Sequence, residues 1–167
     1  TGEFPSQSEV EDLQKELKTR AKNFPNYVFD ILDNMPADSH PMAMLNCSLV
    51  ALERESVFSK EYSRGIRKED YWNPTYEDAM NIVAWIPQIA AIVYSKKFRD
   101  GKIIPYDFSL DWAGNFANML GISDESGEFK NLLRLYTIIH SDNEGGNVSA
   151  HTCHCAASSL SNPFFAF

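Results

Sequence analysis

Between two apolar stretches the chain carries His140-Ser141-Asp142-Asn143-Glu144-Gly145-Gly146-Asn147-Val148-Ser149-Ala150-His151, a dense run of polar groups around a glycine pair. Gly145 and Gly146 permit a sharp turn and a close approach of backbone to a ligand. His140 stands where a first helix would close, offering a donor or a cation to free carbonyls. Asn147 and Ser149 stand where the next helix would open, with amide groups pointing out toward an anion. Such a corner, entering a helix rich in small residues (Ala150, Ala156, Ala157, Ser158), suits a ligand bearing carboxylates. An ordinary capped turn between helices uses the same residues, and the chemistry alone leaves both readings open. Asp142 and Glu144 sit beside helix ends, where capping and charge pairing are commoner roles than catalysis. His151, Cys153, His154 and Cys155 invite a metal reading. Only His151 and Cys155 share a helix face, and no second ligand pair with zinc spacing exists, so no metal is expected. Arg67 and Lys68, taken by themselves, read as a solvated basic pair.

The elements that must position these groups are helical nearly everywhere, for apolar residues recur at helical spacing and strand alternation is absent. Ser6 to Glu9 forms a capping box that opens a helix with Val10, Leu13 and Leu17 on one face. A second helix starts near Pro25 and stops before Pro36. Pro41 opens a third, running to about Arg54, and a shorter one ends at Gly65. Thr75 to Asp78 reads as the capped start of a long helix with Met80, Val83, Ile86 and Ala90 inward, and Pro87 should kink it. Ser109 is expected to cap a helix ending at Gly121. Others run from about Phe129 to His140 and from about Asn147 to Leu160, and Pro163 opens a further one. The expectation is an all-α, multi-helical unit of about eight helices covering residues 1–167, with no linker long enough to divide it.

The 167 residues are 44% hydrophobic and 23% charged, an ordinary globular composition. The net charge of −8 argues against nucleic acid or an anionic membrane as a partner, since both select a basic face. The longest apolar run, Ile82 to Tyr94, contains Pro87 and Gln88 and falls short of the ~20 residues that cross a bilayer. Three cysteines cannot all pair, and a reducing compartment is the expected setting. The chain begins at Thr1 without a methionine and ends in the apolar run Pro163 to Phe167, so its far end is expected to be truncated or covered.

The corner resembles the citrate synthase pattern H-S-D-H-E-G-G-N-V-S-A-H-T, matched from His140 to Thr152 at every position except Asn143. Other motifs agree in order. Thr1-Gly2 with Pro5, Leu32-Asp33 with Pro36, His40-Pro41-Met42, Gly65-Ile66, Tyr71-Trp72, Tyr76-Glu77-Asp78, Leu110-Asp111-Trp112, Asn115-Phe116 and Asn118 to Gly121 all resemble the mitochondrial-type enzymes. The resemblance spans essentially the whole chain.

It implies part of the large domain of a helical homodimer that condenses acetyl-CoA with oxaloacetate and hydrolyses citryl-CoA. Neither cofactor nor metal is implied. In the family an aspartate removes the acetyl proton while two histidines stabilise the enol and activate the oxaloacetate carbonyl, general acid–base work with electrostatic support. By family order those groups lie beyond Phe167, so the chain alone is expected to be inactive. Asn143 occupies the place of a histidine that hydrogen-bonds oxaloacetate, and an amide donates a hydrogen bond but carries no charge. His140, Asn147 and Ser149 match a supporting polar network, and Lys68 matches a basic residue that reaches the CoA phosphates of the neighbouring subunit. Helices around Thr75–Tyr94, Phe129–His140 and Asn147–Leu160 resemble those that stack against a twofold mate, with Ala79, Ala90, Ala91, Ala150 and Ala156 allowing close approach. The mitochondrial matrix is the implied location. A non-catalytic relative and a methylcitrate synthase using propionyl-CoA are the alternatives.

Overall fold

The computed structural model describes residues 3–140 and 148–167, which form only helices and their connections. In order these are α1 (Gln7–Lys22), α2 (Tyr27–Asn34), α3 (Pro41–Ala51), α4 (Val57–Ser63), α5 (Trp72–Phe98), α6 (Trp112–Leu120), α7 (Glu128–Ile139), α8 (Val148–Ser158) and α9 (Pro163–Ala166). Short 3-10 turns at Leu52–Glu55 and Lys68–Asp70 precede α4 and α5. The all-α expectation holds among the described residues.

Sequence explains most of the boundaries. The Ser6 hydroxyl accepts from the Glu9 amide while the Glu9 carboxylate accepts from the Ser6 amide at 2.7 Å, a complete capping box. Pro41 sits at the first position of α3, and the His40 ring accepts from the Met42 amide. Gly121 ends α6 at φ +64°. There a Cβ would collide with the Arg99 guanidinium that donates to the Leu120 carbonyl, so glycine is demanded by both dihedral and space.

Two starts differ from expectation. The long helix begins at Trp72, one turn before Thr75, because Pro74 falls in a first turn whose amides need no helical partner. The Thr75 hydroxyl donates back to the Tyr71 carbonyl instead of capping. α6 is capped by Asp111, whose carboxylate accepts from the Gly114 amide at 2.8 Å. Ser109 is instead held by the Asp107 carboxylate through both its amide and its hydroxyl. The third helix ends at Ala51, and the remainder of the expected span tightens into the 3-10 turn Leu52–Glu55.

α5 is the axis of the molecule, in contact with α1, α2, α3, α4, α6 and α9. Its buried face is Ile82, Trp85, Ile89, Ile92 and Val93, offset from the expected stripe, and Val83 is exposed. The helix continues through Pro87 as one element. Trp85 is 4% exposed; its indole donates to the Arg20 carbonyl at 2.9 Å and stacks on Phe164. The phenylalanine-rich terminus therefore covers itself in part: Phe164 and Ala166 enter the core, while Phe165 and Phe167 stay exposed. Arg20 ties α1 to α5 through Glu77 at 2.8 Å and Asn81 at 2.9 Å.

Asp78 performs a second buried task. From α5 its carboxylate accepts from the Ser56 hydroxyl at 2.6 Å and from the Val57 and Phe58 amides at 2.7 and 3.2 Å, closing the N-terminus of α4. Burial pushes this carboxyl up from its ordinary value, against the pull of those hydrogen bonds. Replacing it strands three donors, two of them buried. Asp78→Ala is expected to lower stability by about 2–4 kcal/mol in urea unfolding, whereas an unchanged midpoint would show that water satisfies those donors.

Candidate functional site

The site begins with α7, which ends at His140. α7 has no fully buried residue. One face, with Phe129, Lys130, Leu133 and Arg134, is half-buried, in the direction of α6, the helix α7 chiefly contacts. The other carries Leu132, Leu135, Tyr136 and Ile139 into the open, each more than half exposed.

Polar contacts fix what packing leaves loose. At the N-terminus the Asp124 carboxylate accepts from the Phe129 and Lys130 amides at 2.9 and 3.0 Å. Midway, Arg134 places Nε and Nη2 on the two oxygens of Asp111 at 2.8 and 3.1 Å, a planar two-point fork. The Arg134 guanidinium holds the Asp111 carboxyl below the usual carboxylate range, and the Gly114 amide adds to that pull. Asp111 thus caps α6 and grips α7 with one carboxylate. At Gly114 a Cβ would crowd Asp111 Oδ1 and stand 3.4 Å from Arg134 Nη2. Sequence reasoning missed this pair. Only the cap had a signal, an aspartate directly before an amphipathic run; nothing in the spacing points to Arg134.

The expected site residues fall in different surroundings. His140 caps the C-terminus of α7, exposed; its Nδ1 lies 2.9 Å from the Tyr136 carbonyl and its ring stacks on that of Tyr136 at 4.0 Å. Ser149 is the second residue of α8, on its exposed surface. Asn143 and Asn147, with Asp142, Glu144 and both glycines, lie outside the described residues. Lys68 begins the 3-10 turn before α5, exposed, and forms no ion pair among the described residues, whereas Arg67 beside it pairs with Asp70 at 3.0 Å and Glu69 at 3.5 Å. Of the small residues expected at a mate, Ala91 is buried inside this chain, while Ala79 is exposed.

On α8, His151 Nε2 and Cys155 Sγ approach to 3.6 Å, as their shared face requires. Among the described residues no group of three or more metal-type ligands converges. No helix among them is long and apolar enough to cross a membrane.

These features define a wholly helical unit whose axis is buried and whose two polar-tipped helices, α7 and α8, carry no buried residue. Residues 1–167 match the family described as citrate synthase, C-terminal domain. The chain is 48% identical to a mitochondrial citrate synthase of Citrus maxima over 167 residues, all of this chain and 35% of that protein. It is 48% identical over 164 residues to a peroxisomal citrate synthase of Saccharomyces cerevisiae (98% of this chain, 35% of that protein) and 48% over 165 to a mitochondrial 2-methylcitrate synthase of Yarrowia lipolytica (98% and 35%). The solved citrate synthase from Pyrobaculum aerophilum superposes with a TM-score of 0.82 at 26% identity, over 99% of this chain and 40% of that one. The chain belongs to the citrate synthase family, and it spans about a third of the length of the curated relatives it matches.

The Asp111–Arg134 pair makes a pH prediction. Asp111 has its carboxyl lowered in the folded state, so the pair's contribution is complete above the ordinary carboxylate range, about pH 4. It is lost as pH falls through the lowered folded value. Thermal midpoints of the wild type and Asp111→Asn should differ by a constant amount above about pH 5 and converge in more acid solution. A gap that persists undiminished in acid would show that charge is not what the aspartate supplies.

Proposed function

We propose that the protein to which this chain belongs is a citrate synthase, condensing acetyl-CoA with oxaloacetate and hydrolysing citryl-CoA to citrate and CoA. The observation that carries this reading is the family match across all 167 residues, including the run from His140 to Thr152 that departs from the family pattern only at Asn143. In this reading the residues between α7 and α8 bind oxaloacetate, with Asn143 as a neutral hydrogen-bonding contact. His140, Asn147 and Ser149 support it, and the groups that move protons belong to the rest of the protein. Lys68, exposed and in no ion pair among the described residues, extends a point charge to the CoA phosphates of a neighbouring subunit.

The same reading makes the protein a homodimer of the mitochondrial matrix. Support for the dimer is the uncovered apolar face of α7, since patches of that kind mark interaction sites. Support for the location is the mitochondrial naming of several relatives, although a peroxisomal relative matches equally well. A second reading, 2-methylcitrate formation from propionyl-CoA, has the 48% identity to the Yarrowia lipolytica protein in its favour. A third, a relative without catalysis, is motivated by Asn143.

The complete protein supplied with oxaloacetate and acetyl-CoA should release free CoA and form citrate, read by a thiol reagent and by product analysis. Faster turnover of propionyl-CoA would select the second reading. Asn143→His should raise kcat/KM for oxaloacetate about ten- to hundredfold, the scale of one hydrogen bond gaining charge. Absence of CoA release from both wild type and Asn143→His would select the third.

A further inference from the structure

We propose that the hollow between α1 and the segment leading into α6 is a binding site for a linear polyphosphate chain, free or carried by a nucleoside. The site stands on described residues of this chain and does not depend on the citrate synthase reading.

Lys15, Lys18 and Lys22 fall within an arc of about 60° on α1, beside the buried face of Leu17 and Ala21. With Glu11 and Phe108 they line one concavity of about 450 Å3. Like charges three and four residues apart repel, so the cluster weakens its own helix. The acids nearby are engaged elsewhere. Glu11, four residues before Lys15, accepts from Gln7 at 2.8 Å, and Glu16 pairs with Arg20 at 2.7 Å. Asp107 takes the Ser109 hydroxyl and amide, which hold its carboxyl below its ordinary value, with Lys18 a lesser influence. None of the three lysines forms an ion pair among the described residues, whereas Arg20, Arg67, Lys96 and Arg134 all do. In a chain of net charge −8, three uncompensated cations around one hollow are an address for an anion.

Both walls are fixed before any ligand arrives. α1 is held by the Trp85 indole on the Arg20 carbonyl and the Gln88 amide on the Ala21 carbonyl, at 2.9 and 3.2 Å. Opposite, the buried Asn115 accepts from the Asp107 amide at 3.0 Å and donates to its carbonyl, which fixes the backbone next to Phe108. The Phe108 ring packs on Tyr106 and lies 5.1 Å from the Lys22 ammonium, steadying one of the three charges. Lys15 and Lys22 are seven residues apart, about 10 Å along the axis. A single phosphate engages part of the set, and a chain of phosphates engages all of it, each lysine acting as a point charge.

The test is calorimetric titration of the complete protein with sodium tripolyphosphate, which should bind at least tenfold more tightly than orthophosphate. Lys15→Gln, Lys18→Gln and Lys22→Gln should each weaken binding about threefold and together about thirtyfold, the scale of exposed ion pairs that add independently. Added salt should weaken the wild type more than the triple variant. The thermal midpoint of that variant should equal or exceed the wild type's, because repulsion along α1 is relieved, so its lost binding is not lost folding. Lys60→Gln and Lys68→Gln remove the same charge elsewhere and should leave affinity unchanged; the second separates this hollow from the CoA contact proposed above. Adenosine triphosphate binding as tightly as tripolyphosphate, or more so, assigns the site to a nucleotide, and binding tenfold weaker assigns it to the free chain. No saturable binding, affinity indifferent to the three α1 lysines, or an equal loss in Lys60→Gln or Lys68→Gln would overturn the proposal.

Discussion

Burial of α5 is the constraint from which the remainder of the molecule takes its place. Trp85, Ile89 and Ile92 lie on one face of a 27-residue helix, and α1, α3 and the terminal α9 close over it. The Trp85 indole meets both requirements of a large buried aromatic, apolar contact with Phe164 and an acceptor for its N–H in the Arg20 carbonyl. Around this axis the polar interior is economical. Among the described residues the buried carboxylate Asp78 closes the start of α4, the buried amide of Asn115 bonds the backbone of Asp107 at both N–H and carbonyl, and that of Asn162 caps α9 while reaching Glu53 and Ser59.

The contrast with α7 and α8 is physical and not a matter of degree. Both carry apolar side chains, yet neither contains a buried residue. α7 shows an apolar outer face to solvent and is kept in place by charge and capping, from Asp124 and from the Asp111–Arg134 fork. Elements of that sort gain their burial from something outside the piece of chain that carries them. The dimer proposed above would supply that cover from a second copy.

Helix starts marked by local chemistry, the Ser6–Glu9 box and the His40-Pro41 entry, were found where the residues put them. Starts decided by competition were not. Ser109 and Asp111 both have capping side chains, and only the fold shows that Asp107 captures the serine. Thr75 lost its expected cap because Pro74 is acceptable in a first turn. The buried stripe of α5 was displaced because a helix surrounded on most sides has no single apolar period to read. The polar corner was visible as residue types, yet its ligand was not. Carboxylate binding and ordinary capping use the same groups, so residue types alone do not distinguish them. The Asp111–Arg134 fork joins residues 23 apart in sequence and has no periodicity to betray it.

The most direct measurement is a crystal structure of the complete protein with oxaloacetate bound. The account predicts the ligand's carboxylates within hydrogen-bonding distance of residues between α7 and α8, with Leu135, Tyr136 and Ile139 covered by a second copy or by the remaining chain. Oxaloacetate seated elsewhere, with those three side chains still facing water, would contradict it.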